Sequence, residues 1–173
     1  MEVNPDFLAA VAATDYAPRY YELCRQHPLR LDAPACKAPA ADVLRVARAA
    51  GPANRLPGPG RPFEFELPGE PPAGELVFVI QGRTTVETHF AVPFRSVQVA
   101  GTFAILALDV LGLRGEPPPS PPYPRPEFHS LEELAEVLAE VYRLGCLVAA
   151  VGEPRQAEPG AADVTLDVNP RPP

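Results

Sequence analysis

Apolar and polar residues alternate along this chain with two different periods, and the change of period marks out its elements. Phe7, Leu8, Val11 and Ala12 recur at helical spacing behind Pro5 and Asp6, which suit a first helical turn. A second helical stretch runs through Tyr20, Tyr21, Leu23 and Cys24. Asp15 is placed to cap it, Pro18 to interrupt the run and Pro28 to end it. The pattern predicts a kinked or broken helix over 5–26. Ala41 to Arg48 is helical again, with Gly51 as its stop. Ser130 opens the clearest helix: Glu133 completes a capping box, and Leu131, Leu134, Leu138 and Val141 form a stripe that continues towards Leu144 and Val148.

Between residues 63 and 99 the period falls to two. Phe63-Glu64-Phe65-Glu66-Leu67 alternates strictly, as a half-buried strand does. Leu76-Val77-Phe78-Val79-Ile80 is apolar at every position, the pattern of a central strand covered on both faces. Gln81 to Thr84 offers a tight turn, and Thr85 to Val92 returns as an alternating strand. An antiparallel hairpin follows, with 63–67 as a third strand and Val97-Gln98-Val99 as a short fourth. Phe103 to Leu111, behind Gly101-Thr102, is apolar all round and predicts a buried helix stopped near Gly112. A strand over 103–108 is the other reading, because a short apolar run does not decide its own period. The run is well short of the roughly 20 residues that cross a bilayer, so no membrane partner is expected.

Proline separates these elements. Residues 28–39 and 51–62 are dense in it and predict loops, and seven of the ten residues in 117–126 are proline, the composition of an extended spacer. The same composition suits a ligand for an aromatic-lined groove. As a spacer, the segment is expected to fold Tyr123 back onto the domain. The prediction is an α+β fold: a small antiparallel sheet of three to four strands packed against N-terminal, central and C-terminal helices. A single domain spans 1–156, and 157–173 forms a tail in which Val164-Thr165-Leu166 is a possible edge strand.

Composition narrows the class of partner. Hydrophobic residues at 46% against 21% charged mark a chain that folds. Net charge is −7, and residues 117–173 carry nine acidic groups against four basic ones. A phosphate backbone rewards clustered Lys and Arg, so a chain whose only lysine is Lys37 is not expected to bind nucleic acid. The odd count of three cysteines, Cys24, Cys36 and Cys146, argues against a disulfide framework, and the N-terminal residues lack the pattern of a secretory signal. A cytoplasmic location is expected.

Candidate chemistry is sparse. Cys24 and His27 share a helical face and Cys36 follows, but three ligands do not close a structural zinc site, so no metal is expected. Glu87 and His89 lie two apart on one strand, pointing to one face about 7 Å apart, a usable acid/base pair if a cleft covers them. No nucleophile motif accompanies them. Gly58-Pro59-Gly60 precedes a strand rather than a helix, so no phosphate cradle and no cofactor are expected. His129, beside the last helix's cap, reads as a boundary residue. Glu132, Glu136 and Glu140 repeat every four residues on the outer face of that helix, an acidic surface suited to a partner with a basic one.

Two functions fit these constraints, and an obligate dimer or assembly subunit is a third. One is a protein-binding module with the size and acidity of the immunity proteins of toxin systems, although no residue motif of such a family is matched. Its partner surface is expected at Glu132, Glu136 and Glu140. The other is an enzyme or small-ligand protein using Glu87 and His89 in a pocket between the sheet and the apolar helix.

Overall fold

In a computed structural model, described for residues 4–58, 60, 62–69, 74–82 and 84–152, the helical and alternating segments separate into two layers. The helices are α1 (Pro5–Ala12), α2 (Tyr16–Gln26), α3 (Ala40–Ala50), α4 (Phe103–Arg114) and α5 (Leu131–Gly152). The strands are β1 (Ala53–Arg55), β2 (Phe63–Glu66), β3 (Glu75–Gln81), β4 (Thr85–Phe94) and β5 (Val97–Thr102), paired antiparallel in chain order. The α+β architecture is as the periodicity predicts, with five strands in place of three to four. The expected tail, with Val164-Thr165-Leu166, lies outside the described residues.

Local chemistry explains most boundaries. The Asn4 side chain accepts from the Asp6 and Phe7 amides and starts α1. The break before α2 falls at residues 13–15, upstream of Pro18. Pro18 sits in the first turn of α2, where its missing N–H costs nothing. Glu133 donates its amide to Ser130 Oγ at 3.1 Å, and its own carboxylate accepts from the His129 amide at 2.7 Å, so the capping box closes one residue further out than its usual form. α4 is a helix and runs past Gly112 to Gly115, whose φ of 69° lets the Glu116 amide reach back to the Leu111 carbonyl.

The helices cover one face of the sheet. Leu76, Phe78, Phe90 and Val92 on that face are at most 3% exposed, and α5 packs Leu134, Leu138, Val141 and Leu144 among them and α3, each fully buried. Burial of each such side chain contributes about 1.5–3 kcal/mol. Gly145 marks the closest approach, for a Cβ there would overlap the buried Leu76 side chain. The other face carries Glu64, Val77, Val79, Glu87 and His89. Val77 and Val79 are only half-buried, so β3 is not covered on both faces as its apolar run predicts; its cross-strand neighbours Glu64, Glu87 and His89 are polar.

Candidate functional site

The proline-rich segment is not a free spacer but is pinned at its C-terminal end. Prolines offer carbonyls and no amide donors, and the surrounding elements supply the donors. The Tyr20 hydroxyl donates to the Pro124 carbonyl at 2.7 Å, and the Val86 amide to the Pro126 carbonyl at 3.0 Å. Beyond the prolines, the Glu127 amide donates to the His27 carbonyl at 2.9 Å and the Phe128 amide to the Thr84 carbonyl at 3.0 Å. Residues 124–128 thus tie the end of α2 to the start of β4, and Phe128 is fully buried beneath them.

This anchoring leaves a cleft of about 600 Å3 between α2, the loop after it and the proline-rich segment. Its exposed lining includes large apolar side chains, Leu29 at 62% exposed and Tyr123 at 50%, with Pro119 and Pro121 beside them and Arg25 and Arg125 at the rim. Its buried lining is polar. Glu127 is 7% exposed, and its carboxylate accepts from Thr85 Oγ1 at 3.0 Å and Thr84 Oγ1 at 3.4 Å. The Tyr21 hydroxyl is buried with no hydrogen-bond partner, and burial, then the neighbouring Cys24, raise its phenol above the ordinary value. Burial also pushes the Cys24 thiol up to about 12. At the rim, Arg25 pairs with Glu22 at 2.6 Å and Arg125 with Glu87 at 3.2 Å.

Two further depressions continue along α2. One of about 480 Å3 shares Arg25 and Pro28 with the cleft and extends to His27, Arg30, Glu133 and Glu136. The next, of about 600 Å3, shares His27 and Glu136 and reaches Arg19, Glu140 and Arg143. Ion pairs cross between α2 or its loop and α5: Arg19 to Glu140 at 2.7 Å, and Arg30 to Glu133 at 2.6 Å. The Arg30 guanidinium, with the His129 amide behind it, holds the Glu133 carboxyl below its ordinary value.

The three acids expected to form a partner surface divide. Glu132 and Glu136 are exposed, whereas Glu140 is held between Arg19 and Arg143 with its side chain 20% exposed, so the last helix presents a mixed surface rather than a purely acidic one. Glu87 and His89 share the uncovered sheet face, Nε2 to Oε1 3.9 Å, on the side away from the helices, and neither lines the three depressions described above. Glu87 also accepts from Gln81 and Arg125, so its lone pairs are engaged. Cys24, His27 and Cys36 do not converge: among the described residues no group of three His, Cys, Asp or Glu side chains is placed to hold a metal.

Sequence reasoning passed over Glu127, Tyr21 and the environment of His129. Both ring nitrogens of His129 are buried without a hydrogen-bond partner, and its Nε2 lies 4.0 Å from Glu127. Glu127-Phe128-His129 repeats the spacing of Glu87-Thr88-His89, and that repetition was the available signal. No family model, no curated protein and no solved structure matches this chain.

Proposed function

We propose that this protein is a protein-binding module that engages its partner through α2, the loop after it and the proline-rich segment. The observation that carries the reading is the exposed apolar rim of the cleft, Leu29 and Tyr123, with Leu31 at 89% exposed two residues along the same loop. Large apolar side chains left in water beside a concave surface are the usual mark of a docking site. Aromatic anchors surrounded by paired charges resemble the centre and rim of a protein interface. Glu136 and Glu140 line the adjoining depressions, so the acids expected to guide a basic partner border the same surface. Neutralising a toxin-type partner by surface contact, in the manner of an immunity protein, suits a small chain of net charge −7.

Site-specific photo-crosslinking in the source cells tests the reading. A photo-reactive residue at Leu29, Leu31 or Tyr123 should give one common adduct, and the same residue at His89 none. Adducts that are absent from all three positions, or that form equally at His89, would contradict it.

A further inference from the structure

We propose that the cleft receives an arginine side chain of the partner, with its guanidinium on the Glu127 carboxylate. The inference rests on the protein-binding reading and names the chemistry of the anchor. Removing a carboxylate from water is costly unless a charge partner and hydrogen bonds replace the lost hydration. Glu127 is buried, yet its carboxylate accepts only from two neutral hydroxyls. Among the described residues the only basic group within 4.0 Å is His129, at that limit and without a hydrogen bond. A second polar group in the same cleft, the Tyr21 hydroxyl, is also buried without a partner.

Both groups want a donor, and arginine supplies five in a planar fork that meets a carboxylate with two parallel bonds. Its stem and flat guanidinium suit walls of proline and tyrosine, where Tyr123 offers a ring face for stacking. The two arginines of the lining are already engaged: Arg25 is paired with Glu22 and Arg125 with Glu87, both carboxylates outside the lining, which leaves Glu127 as a lining carboxylate with no arginine partner among the described residues.

The probe is Nα-acetyl-arginine methylamide, with the citrulline analogue as a neutral compound of the same shape, each titrated into 15N-labelled protein and followed by amide chemical shifts. The arginine compound should move resonances of residues 21–29, 84–86 and 123–128 and bind at least about tenfold more tightly than the citrulline analogue, the difference expected for a buried charged contact. Glu127→Gln should remove that preference, and Tyr21→Phe should weaken binding several-fold. Equal binding of the two compounds to the wild-type protein would overturn the proposal, even if Glu127→Gln fails to fold. Shifts confined to Glu132, Glu136 and Glu140 would overturn it too. A negative result here combined with a common adduct at Leu29, Leu31 and Tyr123 removes the arginine anchor and leaves the docking surface standing.

Discussion

Two stretches of this chain share the pattern Glu-x-His, and they end in opposite environments. Glu87-Thr88-His89 lies on β4 with its Glu and His side chains on the uncovered sheet face, and the His89 side chain is 48% exposed. Glu127-Phe128-His129 follows the prolines, its Glu and His side chains at most 9% exposed and Phe128 at none. The separations between carboxylate and imidazole are nearly equal, 3.9 and 4.0 Å. What differs is the company. On the sheet, Gln81 and Arg125 satisfy the carboxylate in the presence of water. Beside the cleft, the same pair has been desolvated without being fully matched. Desolvation with incomplete satisfaction is characteristic of functional positions, and it arises here from long-range docking.

The largest contrast should come from the middle residue of the buried triplet. Phe128→Ala should destabilise the fold by about 3–5 kcal/mol, read from urea or thermal unfolding, since a fully buried ring leaves a cavity. A loss below about 1 kcal/mol would mean that the 124–128 segment is not part of the packed core. Next, Glu127→Ala strips the Thr84 and Thr85 hydroxyls of their acceptor and should cost about 1–3 kcal/mol. Glu87→Ala should cost less than about 1 kcal/mol because its ion pair is exposed to solvent. Equal costs would erase the distinction between the two triplets.

A smaller effect is expected from acid. Because Arg30 lowers the Glu133 carboxyl in the folded state, that group adds stability above the ordinary carboxylate pKa of about 4 and loses it as pH falls through the folded value. Glu133→Gln should therefore flatten the decline in unfolding free energy below about pH 4. An unchanged slope would show that the Arg30 pair does not form in solution. Smallest, and without effect on stability, is thiol labelling: Cys36 and Cys146 should react with a disulfide reagent at alkaline pH in the native protein. Cys24, buried and with its thiol pushed up to about 12, should react only on unfolding. Rapid native labelling of Cys24 would mean that the cleft opens to its buried lining.

Much of the fold was legible because its signals are local. The Ser130 capping box, the alternation of Phe63 to Leu67 and the turn at Gln81–Thr84 each carry their structural cause within a few residues. β1 was missed because Ala53–Arg55 sits among prolines and glycines and is a strand only through its pairing with β2. The cover of β3 was over-read, since an unbroken apolar run does not report which of its two faces meets a helix. The cleft was hidden for a related reason. Tyr21, Thr85 and Glu127 are far apart in the chain and are brought together by amide and hydroxyl donors to a segment whose composition reads as a spacer. Glu132, Glu136 and Glu140 were legible as a stripe, but the pairing of Glu140 with Arg19 on α2 was not.

The most direct test of where function resides is the affinity for the crosslinked partner of two matched, charge-removing variants, Glu127→Gln and Glu87→Gln. With the folded fraction of each measured independently, Glu127→Gln should weaken binding at least about tenfold, the range for a buried charged contact, while Glu87→Gln should stay within about twofold. A loss for Glu87→Gln that equals or exceeds that for Glu127→Gln would contradict this assignment and return the functional surface to the open face of the sheet.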